Sequence, residues 1–301
     1  MSDLNQLLMD REALMQCIVQ QMTALMQDTY TLNIGDSISL HRFDQSVPCS
    51  GTCLYKPMLS FMVRGHKTCI LGKRTIHYES GDLFITGLDI PAQFQVSNPS
   101  PDRPGFSVAF ILKPDILQEV IEQLPPLPDD ELCECDSCTL SDQATASELL
   151  TLYRILDMYQ RGQYNDLLGN LIVKELYSLV LTSCHGMELR RLSTAGAQSS
   201  KIAKVIHYIR DNYRSDIDIE ALADMAYMAV PTFYKHFKQA TSLSPLQYLK
   251  RMRLYEAKRL MLNEALSASA AGYEVGYVSE QHFSRDYKKL FGRPPLQDVR
   301  V

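Results

Sequence analysis

Two matching segments in the last hundred residues constrain the fold of this chain most. The first, residues 219–238, has an apolar-faced short helix, a turn and a second helix with basic side chains. The second, residues 267–292, repeats this order with Gly276 in its turn. This arrangement is how a helix-turn-helix presents a recognition helix to the DNA major groove. The pattern predicts two such units, joined by a helix that starts at Ser244 and Pro245.

The charge of the chain is divided unevenly between its two ends. Residues 199–301 hold 16 Lys and Arg against 11 Asp and Glu, a net charge of +5. The whole chain carries −5, so the first 198 residues carry −10. A basic segment can follow DNA phosphates, whereas an acidic one is repelled by them. The nucleic-acid interpretation therefore applies only to the C-terminal third.

The N-terminal two thirds predict a different architecture. Residues 4–27 have helical apolar spacing, and from residue 32 to 112 short β-rich runs alternate with Gly, Pro and Asp turns. About eight short antiparallel strands at this spacing indicate a small barrel or jelly roll, which often encloses a ligand cavity. Helical patterns follow over residues 114–124, 144–159 and 167–182. The chain is therefore predicted to be α+β, with a β-barrel and helical hairpin before an all-α C-terminal domain.

The small polar residues 193–200 lack periodicity and are expected to be a linker. We expect domains at residues 1–192 and 201–301. No apolar run approaches the roughly 20 residues that cross a bilayer, and Asp10, Arg11 and Glu12 interrupt the N-terminal segment. A cytoplasmic protein without a membrane partner is the expectation.

The C-terminal motifs resemble those of the AraC/XylS family of bacterial transcription regulators. The resemblance lies in residues 222–223, 232–238, 244–254, 276–285 and 291–295. Residues 47–49, 55–57, 72–74, 78–82 and 102–104 also resemble the effector domain of one branch of that family. The resemblance implies a cupin-like ligand domain, a helical hairpin for homodimer contacts and a C-terminal domain that binds a double-stranded DNA operator. It further implies an activator that contacts RNA polymerase and responds to an unidentified small molecule.

Carried over position by position, the resemblance gives base-facing candidates on both recognition helices. They are Pro231, Thr232, Tyr234 and Lys235 on the first, and Glu280, Gln281, Ser284 and Arg285 on the second. Arg pairs with guanine, Gln with adenine, and Glu accepts from cytosine. The candidates for phosphate contact are Lys238, Lys250, Arg251, Lys288 and Lys289. Phe233, Phe237, Phe283 and Tyr287 are expected in the core because their spacing of four places each pair on one helix face.

The first unit departs from the family pattern in its turn. Tyr227 stands where a glycine is common, and Ala229 replaces a capping serine, a loss of about 1 kcal/mol. In the second unit Gly272 replaces an alanine, at a cost of roughly 0.5–1 kcal/mol. We expect the second unit to supply more of the base discrimination. For Arg253 and Arg259, a surface ion pair with Glu256 is as good an interpretation as a DNA contact.

The inward residues of the predicted barrel are the candidates for a ligand pocket. They are chosen among Phe61, Val63, Phe84, Phe94, Phe106, Val108 and Phe110. No cofactor or metal is expected. A constitutive regulator, whose barrel serves only for dimerisation or polymerase contact, is the alternative.

The sequence supports two other kinds of site less well than a DNA-binding regulator. Cys133, Cys135 and Cys138 invite a zinc or thiol-sensor interpretation, but their acidic loop is not a common zinc site and raises thiol pKa. A metal-dependent cupin enzyme would need converging histidines, and His41, His66 and His77 lack the compact pairing of such sites. Sequence signatures of a nucleophile elbow, a phosphate loop and HExxH are missing. The sequence thus favours a regulator over an enzyme.

Overall fold

The computed structural model describes residues 10–44, 50–72, 74–97, 99–125, 139–183, 186–193 and 198–298. Its first helix, α1, runs from Arg11–Leu25 and is capped by the Asp10 side chain. Leu14, Ile18 and Met22 are buried along one face of α1, so the helical part of the prediction for residues 4–27 is confirmed over this range.

The N-terminal part contains two antiparallel sheets. The larger sheet has the strand order β1-β2-β9-β4-β7-β10, and the smaller has the order β3-β8-β5-β6. The strands are β1 (Thr31–Ile34), β2 (Ile38–Phe43), β3 (Ser50–Tyr55), β4 (Met58–Arg64), β5 (His66–Leu71), β6 (Arg74–Glu79), β7 (Asp82–Thr86), β8 (Ile90–Val96), β9 (Gly105–Ile111) and β10 (Thr139–Gln143).

The two sheets pack face to face as a cupin-like jelly roll. The Phe84 ring on the larger sheet lies 5.7 Å from the ring of Tyr55 and 5.0 Å from that of Tyr78, both on the smaller sheet. In the described residues the strands form two separate sheets rather than one closed barrel. The α+β prediction is confirmed, and of the two alternatives the sequence left open, the jelly roll is the one observed.

Helices cover the outer face of the larger sheet. They are α2 (Pro114–Gln123), which precedes β10, and α3 (Ala146–Gln160), α4 (Asp166–Thr182) and α5 (Met187–Ser193), which follow it. A capping box between Thr145 and Glu148 begins α3, and the Asn165 side chain caps α4. Neither β10 nor α5 was predicted from the sequence, because both are short and lie beside segments without clear periodicity.

The C-terminal part is all helical. Its elements are α6 (Gln198–Asn212), α7 (Ile219–Met225), α8 (Val230–Thr241), α9 (Pro245–Asn263), α10 (Ala268–Glu274), α11 (Glu280–Phe291) and α12 (Pro295–Asp298). Helix α9 begins at Ser244 and Pro245, as the sequence predicted, and a capping box formed by Ser244 and Gln247 holds this start. Among the described residues, no helix is long and apolar enough to cross a membrane.

Helix α9 joins the C-terminal helices to the jelly roll. The Tyr248 hydroxyl donates a hydrogen bond of 2.6 Å to the backbone carbonyl of Asp89, and the Tyr255 hydroxyl donates one of 2.9 Å to that of Ala92. The Arg210 guanidinium on α6 pairs with the Asp89 carboxylate at 3.1 Å. One hydrophobic cluster therefore runs from the interior of the jelly roll into the first helix-turn-helix.

Candidate nucleic-acid interface

The first unit consists of α7, a turn and α8. In its turn, the backbone N–H of Tyr227 donates to the Asp224 carbonyl at 2.9 Å, and that of Met228 donates to the Ala223 carbonyl at 3.0 Å. Tyr227 has a φ of 54°, in the left-handed region that favours glycine. Its side chain is 85% exposed, so no burial of the ring offsets the backbone cost.

The second unit, α10, a turn and α11, repeats these bonds. The N–H of Gly276 donates to the Tyr273 carbonyl at 3.0 Å, and that of Tyr277 donates to the Gly272 carbonyl at 3.0 Å. Gly276 has a φ of 90°, and a Cβ there would lie 2.3 Å from the carbonyl oxygen of Arg214. The second turn therefore requires its glycine for conformation and for space, and the two turns share one backbone geometry.

The recognition helices are held by matching aromatic pairs. The rings of Phe233 and Phe237 on α8 lie 5.5 Å apart, and those of Phe283 and Tyr287 on α11 lie 5.6 Å apart. All four side chains are fully buried, as the sequence predicted. A Cβ on Gly272 would lie 3.0 Å from the Phe283 ring. Glycine at position 272 lowers the helix stability of α10, but it also lets α10 pack closely against the recognition helix.

The helix starts differ between the units. The Ser267 and Ser279 side chains accept hydrogen bonds from the first turns of α10 and α11. Asp218 does the same for α7, whereas Ala229 at the start of α8 offers no side-chain cap. Pro231 in the first turn of α8 removes one backbone N–H that would otherwise need a partner. The predicted uncapped start of the first recognition helix is confirmed.

Most of the predicted DNA-contacting side chains lie on the outer faces of α8, α9 and α11. The exposed ones are Pro231, Thr232, Lys235, Lys238, Lys250, Glu280, Gln281, Arg285, Lys288 and Lys289. Tyr234, Arg251 and Ser284 are partly buried. Within the described part of the chain, Lys235, Lys238, Arg285, Lys288 and Lys289 have no ion-pair partner. This leaves their charges available to an anionic partner.

The connecting helix α9 uses its basic residues differently. The Lys250 ammonium pairs with the Asp286 carboxylate on α11 at 3.0 Å. The Arg253 guanidinium donates to three backbone carbonyls, on Tyr213 at 2.6 Å, Ser215 at 2.8 Å and Gly276 at 3.2 Å. Arg253 therefore fastens the second turn to the end of α6 and forms no pair with Glu256.

Arg259, by contrast, makes the ion pair with Glu256, which was one of the two interpretations that the sequence allowed. Its guanidinium pairs with Glu256 at 2.7 Å and with Glu264 at 3.0 Å. These partners raise the pKa of Arg259. The side chain of Arg259 is thus engaged by two carboxylates on the surface of the C-terminal part.

Five of the seven pocket candidates do not point between the sheets. Phe61, Val63, Phe106, Val108 and Phe110 pack in the cluster formed with the helices that cover the larger sheet. Only Phe84 and Phe94 belong to the cluster between the sheets. The inward orientation expected for the five was wrong because successive side chains of a strand alternate between faces, and a helix-covered outer face is as apolar as the interior.

Sequence reasoning also missed a cavity of about 1190 Å³ between the jelly roll and the C-terminal helices. Its lining includes Lys56, Asp89, Arg210, Tyr255 and Lys258. Burial raises the pKa of the Asp89 carboxyl, and the Arg210 charge opposes that rise. The residues come from segments far apart in the chain, and no local spacing signals their meeting.

The three barrel histidines do not converge. His41 lies partly buried, with its Nε2 3.1 Å from the Ser39 hydroxyl. His66 pairs with Glu79, and His77 contacts the Thr68 hydroxyl; both are exposed. In the described ranges, no three His, Cys, Asp or Glu side chains are grouped to hold a metal ion.

The cysteines that suggested zinc or thiol sensing, Cys133, Cys135 and Cys138, lie outside the described residues. Cys49 and Cys184 do as well. Of the free cysteines in the jelly roll, burial raises the pKa of Cys53 to about 11 and that of Cys69 to about 12. Both thiols are therefore protonated at neutral pH and are weak nucleophiles.

Comparison with known proteins agrees with this architecture. Residues 36–188 match the family model of the AraC-type transcriptional regulator N-terminus, and residues 222–300 match a helix-turn-helix domain. The HTH-type transcriptional activator RhaS of Escherichia coli O1:K1 is 25% identical over 146 residues, 48% of this chain and 51% of that protein. RhaS of Pectobacterium carotovorum is 26% identical over 102 residues, 34% of this chain and 37% of that protein. The chain spans about half or less of the length of these relatives.

Among solved structures, ToxT from Vibrio cholerae has a similar fold. A single-substitution variant of ToxT in its apo form gives a TM-score of 0.59 at 11% identity, covering 89% of this chain and 98% of that one. The unsaturated fatty acid bound form of wild-type ToxT gives a TM-score of 0.57 with the same identity. The N-terminal family model alone covers more than half of the 301 residues. The chain belongs to the AraC family of DNA-binding transcription regulators with an AraC-type N-terminal domain.

Proposed function

We propose that this protein is a sequence-specific transcription activator whose DNA binding is controlled by a small molecule held in its N-terminal part. It binds its double-stranded operator through both helix-turn-helix units, as a homodimer, and contacts RNA polymerase. The activator assignment is supported by the RhaS relatives, which are named as activators. The protein works as a regulator and needs no cofactor.

The observation that carries the DNA-binding proposal is the repeated turn. Two units share the same pair of turn hydrogen bonds, and each presents a recognition helix with unpaired basic side chains on its exposed face. An exposed Lys or Arg without an intramolecular partner can replace the counterions on a phosphate without first breaking an ion pair. Lys238, Lys288 and Lys289 are the proposed phosphate contacts.

The second unit is the proposed main reader of sequence. Ser279 caps α11, and the acidic Glu280 and basic Lys288 and Lys289 lie at the helix ends that their charges stabilise. A firm helix holds Gln281 and Arg285 in the fixed positions that bidentate base contacts need. The uncapped α8 offers Tyr234 and Lys235 for contacts that add affinity more than discrimination.

Control by a small molecule is supported by how the two parts of the chain meet. Tyr248 and Tyr255 on the helix between the units bond to the strand region around residues 89–92. A ligand that moves this region alters the position of α9 and hence of both units. ToxT, which shares the fold, has been solved bound to an unsaturated fatty acid, which supports a small-molecule ligand for this chain as well.

The proposed dimer surface lies on the helical hairpin of α3 and α4. Leu167, Leu168 and Leu171 near the start of α4 are exposed at 71%, 41% and 53%. Three exposed leucines on one end of a helix form an apolar patch of the kind that subunit contacts cover. Leu167→Glu with Leu171→Glu is expected to give a monomer in analytical ultracentrifugation, while unchanged association excludes this surface.

Selection of bound fragments from random DNA tests the function directly. We expect an enriched motif with two contact regions, and repeated motifs at fixed spacing for a dimer. Failure to enrich any sequence contradicts sequence-specific binding. Thermal-shift screening of the full chain with metabolites and aldehydes then tests control by a ligand, and intact DNA binding without stabilisation by any compound favours the constitutive alternative.

A further inference from the structure

A lysine lies between the two sheets of the jelly roll. Strand β5 alternates so that Lys67, Cys69 and Leu71 are buried while their neighbours are less buried. Lys67 is only 8% exposed. Among the residues that the structure describes, no carboxylate forms an ion pair with Lys67 and no acceptor hydrogen-bonds to it. Buried charges in proteins are normally paired, so this lysine needs a physical explanation.

Four aromatic rings surround the Lys67 ammonium. Its nitrogen lies 4.8 Å from the ring centre of Phe94, 5.4 Å from that of Phe43, 5.6 Å from that of Tyr55 and 5.9 Å from that of Tyr78. Ring faces attract a cation but accept no strong hydrogen bond. The rings therefore hold the ammonium in place while its N–H donors remain available.

Two more donors lie at the same place. The hydroxyl groups of Tyr55 and Tyr78 are fully buried; they lie near each other and near the Cys53 and Cys69 thiols, but no hydrogen bond of normal geometry to a described residue satisfies either hydroxyl. Burial raises the pKa of both phenols, so both are protonated at neutral pH and can donate. A buried donor without an acceptor carries an unrecovered desolvation cost. Burial lowers the pKa of Lys67 itself, so its ammonium form lacks the partner that would stabilise it, and it lies with the two hydroxyls in one apolar surrounding.

The neighbouring titratable groups do not supply the missing negative charge. Burial raises the pKa of the Cys53 and Cys69 thiols to about 11 and about 12, so both are neutral. Burial and the nearby Lys67 charge lower the pKa of His41 to about 4, so this imidazole is neutral too. The cysteine, tyrosine and histidine side chains around Lys67 therefore carry no negative charge.

A cavity of about 500 Å³ lies beside β5 and β6 and is lined by His66, Thr68, His77 and Glu79 as well as by Lys67 and Tyr78. Its mouth also holds two carboxylates, and both are engaged elsewhere. Glu79 pairs with His66 at 3.1 Å, and Asp82 accepts a hydrogen bond of 2.8 Å from the backbone N–H of Glu79. The Glu79 and Asp82 carboxylates are therefore not partners of the Lys67 ammonium.

We propose that Lys67, Tyr55 and Tyr78 bind the carboxylate group of a small apolar acid, which is the effector of this regulator. This inference rests on the proposed control by a small molecule and names its chemical class. A carboxylate is an acceptor-only group with two oxygens, so it satisfies the three donors, and its single charge balances the one ammonium. A phosphate dianion would leave a buried negative charge without a partner. The surrounding rings suit an apolar or aromatic body.

The test compares acids with neutral molecules of the same shape, using the full chain without DNA. Phenylacetate, hexanoate and cinnamate are the probes, and 2-phenylethanol is the uncharged match to phenylacetate. We expect at least one of the acids to raise the melting temperature and to give a saturable calorimetric isotherm, while 2-phenylethanol gives neither. Equal stabilisation by 2-phenylethanol, or no binding of any of the three acids at millimolar concentration, contradicts the proposal.

Variants of the donors assign the site. Lys67→Met removes the charge, keeps most of the volume and suits an apolar surrounding, so the variant is expected to fold. It should weaken binding of the acid by roughly tenfold to a hundredfold, because a hydrogen bond to a charged group is lost. Tyr78→Phe should weaken it by a smaller factor, and Lys174→Met, on the outer helix α4, should leave it unchanged. Binding by Lys67→Met as tight as in the parent overturns the assignment.

A covalent alternative is decided in the same experiment. If Lys67 instead forms an imine with an aldehyde, phenylacetaldehyde with cyanoborohydride adds a mass to Lys67 while phenylacetate fails to protect it. That result overturns the carboxylate proposal.

Operator affinity is measured separately on the ligand-free parent. Absence of specific DNA binding contradicts the proposed function. The binding of an acid at Lys67 is judged without reference to DNA, so the two proposals can fail independently.

Discussion

The hydroxyl of Tyr248 and the backbone carbonyl of Asp89 form a hydrogen bond of 2.6 Å between the helix that joins the two DNA-binding units and the jelly roll. Both residues are buried, with Tyr248 fully excluded from solvent. Because water cannot replace this bond, the contact connects the folding of the two parts of the chain. It is one of several hydrogen bonds that link the jelly roll to the C-terminal helices.

Tyr248→Phe removes this donor and leaves a buried carbonyl unsatisfied. We expect the free energy of unfolding to fall by about 1–2 kcal/mol, measured by urea denaturation. Tyr208→Phe, which removes a hydroxyl from an exposed side chain of α6, is the matched control and should change stability little. Equal effects of the two substitutions would mean that the bond between the two parts contributes nothing.

Replacing Tyr227 in the turn of the first unit by glycine should make the protein more stable. Tyr227→Gly relieves a left-handed backbone at a site where the side chain is almost fully exposed. The expected increase in unfolding free energy is about 1 kcal/mol, since the left-handed region costs an ordinary residue roughly that much. Gly276→Ala should act in the opposite direction because its Cβ would meet the Arg214 carbonyl. A loss of stability in Tyr227→Gly speaks against a strained turn.

Stability should depend on pH through His41. Its pKa is about 4 in the folded chain, lowered by burial and by the charge of Lys67, whereas an unfolded histidine titrates near 6.5. Between these values the unfolded chain binds the additional proton, so stability is fully present above pH 6.5 and is lost as the pH falls towards 4. The slope reaches at most about 1.4 kcal/mol per pH unit.

The measurement is a set of urea denaturation curves from pH 4 to pH 7 for the parent and for His41→Gln. The difference in unfolding free energy between the two proteins reports the His41 imidazole alone, because the carboxylates that titrate in the same pH range are present in both. We expect the parent to lose stability relative to His41→Gln as the pH falls. Parallel pH profiles are incompatible with a buried neutral histidine.

Gly272→Ala tests how closely α10 packs on the second recognition helix. Alanine is the better helix former by roughly 0.5–1 kcal/mol, but its methyl group would lie 3.0 Å from the Phe283 ring. We expect the steric cost to exceed the helix gain, so that the variant unfolds at lower urea concentration. Ala270→Gly, at an exposed position of the same helix, should cost only its helix propensity. A stabilised Gly272→Ala indicates that Phe283 moves freely.

Local pattern predicted most of the fold, because the strands, the helix start at Ser244 and the aromatic pairs depend on residues near each other in the chain. The pocket prediction failed because the sequence around Phe61 and Phe106 is as apolar as that of residues facing between the sheets. Which face of the sheet a strand residue occupies depends on where the covering helices lie. Lys67 was missed because a single lysine in a strand carries no local sign of burial. The Tyr248–Asp89 contact depends on how distant segments meet, which spacing does not encode.

The two recognition helices were predicted from their motifs, but the roles of the basic residues between them were not all predictable. Arg253 and Arg259 lie on the same helix with similar neighbours, yet one bonds to three carbonyls and the other to two carboxylates. Their partners Tyr213, Gly276 and Glu264 lie outside the spacing of three or four residues that pairs side chains on one helix face. The position of the boundary between the domains, expected at residues 193–200, stays a prediction.

We expect α11 to read sequence through Arg285, while its lysines add affinity only. The most direct test measures, by fluorescence anisotropy, the affinity of the parent, Arg285→Ala and Lys288→Ala for the selected operator and for every single base-pair substitution in it. Arg285→Ala should lose about 1–3 kcal/mol of discrimination at one base pair and keep weak, salt-sensitive binding. Lys288→Ala should weaken all sequences alike. An Arg285→Ala profile identical to that of the parent, or a steeper parental profile under the first unit than under the second, contradicts this account.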